Sequence, residues 1–240
     1  MRPLITLVTI LFLQITANAQ NLVPNYSFEQ YINCPNYPSQ VTTHCANWVQ
    51  YTTGTSDYFN ECATHPWVDV PTNAQGSQNA LHGNAYIGLY DFLPIAPQWE
   101  YAGVAITAMQ IGKVYEVSMS VSLGDSCFYA SNGLGAFFFD NGPTTYPGTS
   151  LLPFDPQISY KDYGPISNKT SWTRLSDYMF ADSAYDNIVI GGFLAHSLLQ
   201  IDTLSTGSSG VSYYYIDSVV VRQVDNIIVS FNDSLFCAGD

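Results

Sequence analysis

Carboxylates are the first side chains to consider, because a pair of acids is what glycoside cleavage requires. The chain has only four glutamates, Glu29, Glu61, Glu100 and Glu116, and no pair stands at a close strand spacing that would place both on one face. The sequence also lacks the motifs of serine hydrolases, zinc peptidases and P-loop enzymes. Two acids distant in sequence could still come together in the folded chain, so a secreted glycosidase is kept as the least favoured alternative. The sequence therefore predicts a protein that is not an enzyme.

Aromatic residues are concentrated between positions 48 and 99. The C–H face of a sugar ring packs on an aromatic plane, and its hydroxyls bond to amide and carboxylate side chains. Trp48 and Phe59 are expected in the core. Four other rings are expected at the surface as ligand-binding residues, namely Tyr51, Tyr58, Trp67 and Trp99.

The charge balance narrows the class of ligand. Six Lys and Arg against nineteen Asp and Glu give a formal charge of −13. Such a surface repels nucleic acid and anionic membranes, whereas neutral glycans and divalent cations tolerate it. We therefore expect the exposed rings to bind a neutral polysaccharide or surface glycan, and no nucleic acid.

The first nineteen residues have the pattern of a signal peptide. Arg2 gives a positive start, an apolar run covers Leu4–Ile15, and Ala17-Asn18-Ala19 matches a cleavage site before Gln20. A membrane-spanning helix needs about 20 apolar residues, and no later segment approaches that length. We expect a secreted, extracellular protein without membrane insertion.

Five cysteines, an odd number, are expected to be oxidised in a secreted chain as far as they can pair. Cys34 and Cys45 are the favoured disulfide, because they are close in an irregular segment, although Cys62 could pair with either of them or with Cys127. Cys237 is expected to stay free or to pair with another chain. Zinc is a weaker alternative, suggested by the Cys62-x-x-His65 spacing with His44 nearby.

Hydrophobic periodicity predicts strands and no helix of three turns. In the clearest strand, Val114–Leu123, the odd-numbered residues from Tyr115 to Leu123 share one face and the polar even-numbered residues share the other. Six further strands are expected at 84–90, 101–106, 134–139, 172–180, 188–194 and 213–222. Polar turns between many strands predict an all-β fold, an antiparallel β-sandwich of the jelly-roll kind.

The sandwich is expected to occupy residues 20–224 as one domain. Within it Tyr31–Ala80 is a long, irregular insertion rich in Cys and aromatic residues, and such insertions often carry function. Residues 225–240 are expected to be a linker or the start of a further, truncated module.

Several short motifs carry a resemblance to a known group of domains. Asn21–Glu29 (NLVPNYSFE) and Tyr214–Val221 (YYIDSVVV) resemble the opening and closing strands of galactose-binding-like jelly rolls, the group that includes the family 4, 9 and 22 carbohydrate-binding modules. Segments 45–48, 57–63, 83–88 and 121–126 are similar to a module of large Bacteroidetes surface proteins. Those proteins are gliding-motility-associated and leave the cell by type IX secretion.

The resemblance implies a calcium site. In such a jelly roll the first and last strands lie side by side, so Glu29 and Asp217 would supply carboxylate ligands and the turn at Asn25 would supply backbone carbonyls. This arrangement resembles the structural calcium site of family 4 and 22 modules. The resemblance implies a glycan-binding or adhesive module of a cell-surface protein, and the alternative is a structural spacer that has lost its ligand.

Overall fold

The computed structural model describes residues 20–94, 98–142 and 145–224. The predicted signal peptide and the segment from residue 225 lie outside the described residues. The described residues form one short helix, α1 (Val41–His44), two 3-10 turns (Lys161–Tyr163 and His196–Leu198) and fourteen strands. In chain order the strands are β1 (Trp48–Gln50), β2 (Asp57–Asn60), β3 (Thr72–Asn73), β4 (Gly76–Ser77), β5 (Ala85–Phe92), β6 (Tyr101–Ala105), β7 (Val114–Leu123), β8 (Tyr129–Ser131), β9 (Leu134–Phe139), β10 (Ile158–Ser159), β11 (Thr173–Phe180), β12 (Asn187–Gly192), β13 (Ile201–Thr203) and β14 (Ser212–Gln223).

Ten of these strands form two five-stranded sheets. The first sheet has the order β1-β6-β12-β9-β10, and the second has the order β11-β7-β14-β5-β2. All of their strand pairs are antiparallel. The pairs β8–β13 and β3–β4 form two small ribbons. The predicted all-β antiparallel sandwich is therefore confirmed.

The main hydrophobic core lies between the two sheets. Val104 and Ile188 of the first sheet and Val117 and Ile216 of the second belong to one cluster of buried side chains. Burial of each aliphatic side chain of this size contributes about 1.5–3 kcal/mol. Among the described residues no helix combines the length and apolar character needed to cross a bilayer.

Strand β7 has its predicted bounds but not its predicted exposure. The expected polar face is also covered: Glu116 is 3% exposed and Ser122 is fully buried. The β3–β4 ribbon lies over one end of this face, where the Ser122 hydroxyl donates to Gln78 Oε1 at 3.0 Å. At the other end two arginines contact Glu116. A second layer of polar contacts therefore covers the outer face of this central strand.

The Tyr31–Ala80 insertion contributes to both sheets. Strand β1 pairs with β6 at the edge of the first sheet, and β2 pairs with β5 at the edge of the second. Trp48 and Phe59, each 1% exposed, are buried in the hydrophobic cluster, as predicted. The insertion is therefore anchored to the sandwich at two edge strands, and the chain between them forms turns.

The N-terminal segment differs from the predicted opening strand. Residues 21–29 form turns and not a strand. The segment nevertheless lies along β14, because Leu22 N donates to Val221 O at 2.8 Å and Val219 N donates to Tyr26 O at 2.9 Å. The predicted proximity of the two chain segments is confirmed, and the predicted strand conformation is wrong.

Candidate functional site: an exposed aromatic platform

Three aromatic side chains form a surface cluster beside β2. The rings of Tyr37, His65 and Trp67 lie with centroids 5.0–5.8 Å apart. Tyr37 is 53% exposed and Trp67 is 49% exposed. We call these three residues the aromatic platform. The predicted surface position of Trp67 is confirmed, and the three rings contact one another in tilted and edge-to-face arrangements.

A disulfide holds the two halves of the platform together. Cys34 bonds to Cys62, with Cα atoms 5.4 Å apart. Backbone hydrogen bonds reinforce the junction, since Thr64 N donates to Pro35 O at 3.0 Å and Ala74 N donates to Trp67 O at 3.1 Å. The disulfide and the Thr64–Pro35 bond fix the loop before α1 against the loop after β2, and the Ala74–Trp67 bond lies within the segment after β2.

The predicted Cys34–Cys45 disulfide is therefore wrong. Cys45 is fully buried directly after α1, and its thiol lies 3.5 Å from the Asn25 amide nitrogen. Burial raises the pKa of this thiol well above its usual range. Cys127 is also buried and unpaired, and its sulfur accepts a hydrogen bond from Tyr213 N at 3.2 Å. Because Cys62 is oxidised, the Cys62-x-x-His65 zinc alternative loses its thiolate ligand.

Three of the four predicted ligand-binding rings are not at the surface. Tyr58 is fully buried, and its hydroxyl donates to Phe28 O at 2.8 Å. Tyr51 is 3% exposed and packs on Phe139 with ring centroids 5.7 Å apart. Trp99 is 9% exposed, and its indole N–H donates to Leu194 O at 3.2 Å. These rings stabilise the fold and are not available for stacking on a polymer.

Sequence reasoning missed Tyr37 and His65. Each lies three residues after a cysteine of the disulfide, Tyr37 after Cys34 and His65 after Cys62. The equal spacing would have placed both rings together if the correct pairing had been known. The incorrect disulfide prediction therefore concealed the site.

Cys62 also lines a surface cavity. Tyr31, Asn60, Glu61, Cys62 and Asn84 line this cavity of about 350 Å³. Tyr31 is 50% exposed. An aromatic ring, an acid and an amide are the groups that bind sugar rings and their hydroxyls. The cavity therefore places a second group of such side chains at the Cys34–Cys62 disulfide.

The predicted calcium ligands do come close together, but N–H groups surround them. Glu29 accepts hydrogen bonds from Asn84 N and Ala85 N, at 2.9 and 3.0 Å. Asp217 accepts hydrogen bonds from Leu81 N and His82 N, both at 2.9 Å.

The polar groups of Asn25 are likewise hydrogen-bonded to other parts of the protein. Its backbone carbonyl accepts hydrogen bonds from Phe28 N and from the Trp48 indole, and its amide side chain is bonded to Gln30 and Ala46. Donors and not carbonyls therefore face the two acids, and this donor set does not by itself form a calcium shell. No group of three or more His, Cys, Asp or Glu side chains suited to a metal occurs among the described residues. The calcium site stays a prediction.

Two other acids meet in the interior. The Tyr213 hydroxyl donates to Asp57 Oδ2 at 2.7 Å, and Tyr90 N donates to Glu100 Oε2 at 3.0 Å. Burial, followed by the negative charge of Asp57, raises the pKa of Glu100 to about 7. Burial raises the pKa of Asp57 to about 6. Because Asp57 is 8% and Glu100 2% exposed, this pair is enclosed in the fold and is out of reach of a polymer substrate.

Comparisons with known proteins give no family. No protein-family model matches the sequence, and no curated protein matches it. Solved structures similar to this chain include the enzymatically active domain of tailspike protein 4 of bacteriophage CBA120, with 13% identity and a TM-score of 0.44 over 85% of this chain and 21% of that chain. They also include the CBM22-1 xylan-binding domain of Paenibacillus barcinonensis Xyn10C, with 13% identity and a TM-score of 0.44 over 87% of this chain and 97% of that one.

A third similar structure is an adhesin domain of the Lys-gingipain of Porphyromonas gingivalis, with 12% identity and a TM-score of 0.38 over 83% of this chain and 96% of that one. All three TM-scores lie below 0.5, so these similarities carry no argument about function.

Proposed function

We propose that this protein is an extracellular, non-catalytic module that binds a neutral glycan through the aromatic platform. The observation that carries the proposal is the exposed Tyr37–His65–Trp67 cluster fixed by the Cys34–Cys62 disulfide. Rings held in place before binding lose little conformational entropy when a ligand stacks on them.

The chemistry of the platform suits a sugar better than a charged ligand. Asn36, exposed beside Tyr37, accepts a hydrogen bond from the Gln40 amide at 2.7 Å through its carbonyl oxygen, which directs its own amide nitrogen elsewhere. That nitrogen can donate to a sugar hydroxyl. The formal charge of −13 further disfavours an anionic polymer at a site without Lys or Arg.

The affinity of one platform is expected to be modest. Each stacked ring contributes about 1 kcal/mol beyond the burial of its area, so loss of one ring weakens binding about fivefold. Weak sites become useful when several copies act on one polymer. We accordingly place the module on the cell surface or in the secreted fraction, as part of a protein that adheres to glycans.

Retention on immobilised neutral polysaccharides tests the proposal. Trp67→Ala and Tyr37→Ala should each reduce retention about fivefold and should leave the melting temperature nearly unchanged, because both rings are about half exposed. Phe180→Ala is the matched control, since Phe180 is 60% exposed at the opposite edge of the second sheet. Equal retention of all three variants and the parent protein would reject the proposal.

The second candidate function is a structural spacer. The burial of Tyr51, Tyr58 and Trp99 favours it, because these rings serve the fold and not a ligand. A spacer would bind no polysaccharide in the parent protein, so the same column experiment separates the two functions.

A further inference from the structure

A second surface, at the edge of the second sheet formed by β11, carries a different chemistry. Arg222 Nε donates to Glu116 Oε2 at 2.6 Å, and Arg174 Nη2 donates to Glu116 Oε1. Glu116 is 3% exposed, whereas the Arg174 and Arg222 side chains are 54% and 51% exposed. Two cations beside one anion leave one net positive charge here, on a chain with a formal charge of −13.

The two arginines keep most of their donors unused. Arg222 uses only Nε, and Arg174 uses only Nη2, which also donates to Ser118 Oγ at 3.0 Å; the other guanidinium N–H groups have no partner within residues 20–94, 98–142 and 145–224. The planar N–H fork of a guanidinium matches the two oxygens of a carboxylate. Glu116 also accepts a hydrogen bond from Ser176 Oγ at 3.0 Å. This buried acid therefore holds both forks in place without filling them.

An exposed aromatic ring lies in the same row of the sheet. Tyr178 is opposite Glu116 on one side, and Arg222 is opposite Glu116 on the other. Directly opposite residues of antiparallel strands share a face, so the three side chains project from the same surface. Tyr178 is 55% exposed. Two strand spacings, about 10 Å, separate Tyr178 from Arg222, and both long side chains can contact one sugar residue between them.

We propose that Arg174, Tyr178 and Arg222, which we call the arginine face, bind a uronic acid residue of an acidic glycan. The sugar carboxylate pairs with a guanidinium fork, and a C–H face of the same ring packs on Tyr178. A neutral sugar would leave the N–H groups that Glu116 does not use without a carboxylate acceptor. A simple carboxylate would leave Tyr178 without a ring.

The overall negative charge does not exclude this ligand. At physiological ionic strength charges are screened beyond about 8 Å, so the nearby guanidinium groups dominate the interaction. Asp177, the neighbouring acid on β11, pairs opposite Val117 and therefore lies on the other face of the strand.

The arginine face is independent of the aromatic platform. In the sheet order β11-β7-β14-β5-β2, the arginine face lies at β11, β7 and β14, whereas the platform adjoins β2 at the other edge. Four strand spacings, about 19 Å, separate the two edges. The inference therefore goes beyond the proposed function, and either site can fail without the other.

Titration of the whole protein with methyl β-D-glucuronide and with methyl β-D-glucoside, followed by NMR or calorimetry at 150 mM salt, tests the arginine face. We expect the glucuronide to bind at least about tenfold more tightly than the glucoside, as a charge-assisted bidentate pair requires. Arg222→Gln should remove most of this preference, and Arg222→Lys should restore only part of it because the fork is lost.

Tyr178→Ala should weaken glucuronide binding about fivefold, because the stacking contact is lost. The exposed position of Tyr178 lets this variant fold even where Arg222→Gln disturbs Glu116. Trp67→Ala is the control and should bind the glucuronide like the parent protein. Equal binding of the two glycosides, no binding of either, or equal competition by a short Asp-rich peptide would overturn the inference.

Discussion

At the scale of single residues, the exposure of an aromatic side chain depends on whether another segment covers its face of the sheet and not on its residue type. Phe59 and Tyr58 are neighbours on β2 and point to opposite faces, yet both are buried. The outer face is covered by the β3–β4 ribbon, whose Asn73 accepts a hydrogen bond from the Tyr215 hydroxyl at 2.6 Å. Phe59 lies on this covered outer face, where its ring packs on Tyr215, whereas Tyr58 faces the core between the sheets. Alternation predicts which face a ring occupies but not whether another segment covers that face.

Gly88 shows how closely such side chains pack. A Cβ atom at this position would lie 2.1 Å from the Tyr213 hydroxyl, which donates to buried Asp57. Gly88→Ala should therefore lower the free energy of unfolding by about 2 kcal/mol or more, through overpacking and loss of the buried hydrogen bond. Gly210→Ala is the control, because the nearest atom to its Cβ would be 3.8 Å away. Equal denaturation midpoints for the two variants in urea would contradict this packing.

At the scale of elements, the regular strands could be predicted and the short ones could not. All seven strands predicted from hydrophobic periodicity are present, from β5 (Ala85–Phe92) to β14 (Ser212–Gln223). Strands β1 and β2 have three and four residues, too few for a period to stand out among Asn, Thr and Ser. Their conformation comes from pairing with β6 and β5, which is a tertiary effect.

The prediction of a strand at Asn21–Glu29 was wrong for a local reason and not a tertiary one. Its motif indicates a strand, but Asn25 and Phe28 adopt φ values of 47° and 63°, in the left-handed region. The Asn25 side chain stabilises this turn by accepting a hydrogen bond from Gln30 N at 2.8 Å. Local hydrogen bonding by Asn competes with strand geometry in this way. The same turn brings Glu29 towards Asp217, where calcium is predicted.

Calcium binding can be tested at the junction of the N-terminal segment, the loop at 81–85 and β14. Glu29 and Asp217 lie close enough that the charge of Glu29 adds to the burial that raises the pKa of Asp217 to about 6, and a cation would relieve that repulsion. Millimolar calcium should then stabilise the folded protein and raise its melting temperature. At a calcium concentration a hundredfold above the dissociation constant, the stabilisation is about 2.7 kcal/mol. Asp217→Asn should abolish the rise and Asp202→Asn, on exposed β13, should not. Identical melting curves in chelator and in calcium would show that the backbone N–H groups alone hold the two acids.

At the scale of the whole molecule, four buried acids set the response to pH. Burial is the main cause that raises the pKa of Asp57, Asp91 and Asp217 to about 6 and of Glu100 to about 7. Between about pH 4 and pH 7 the unfolded chain releases protons that the native state still holds at these groups. The free energy of unfolding therefore falls as pH rises through this range and becomes constant above it.

The stability of the protein should accordingly be greater at pH 5 than at pH 8. Between these two pH values a group with a native pKa of about 6 contributes about 1.4 kcal/mol, and Glu100, with a pKa of about 7, contributes about 2.5 kcal/mol. Asp57 and Glu100 titrate as a coupled pair, so their contributions will not add fully. Glu116 acts in the opposite direction, because burial is outweighed by Arg174 and Arg222 and its pKa is lowered. Its contribution is lost only below its ordinary pKa, outside this range.

Asp91 provides the cleanest test of this pH dependence. Its Oδ2 accepts hydrogen bonds from Ser131 Oγ and Gly133 N, whereas its buried Oδ1 has no partner among the described residues. Asp91→Asn removes one titrating group from the native state, so the loss of stability between pH 5 and pH 8 should shrink by about 1.4 kcal/mol, because pH 5 lies about one unit below the native pKa of Asp91. Urea denaturation at both pH values measures the change, and Asp202→Asn controls for the loss of one negative charge at an exposed position. If Asp91→Asn keeps the full pH dependence of the parent protein, Asp91 is ionised in the native state and the stabilising protons reside elsewhere.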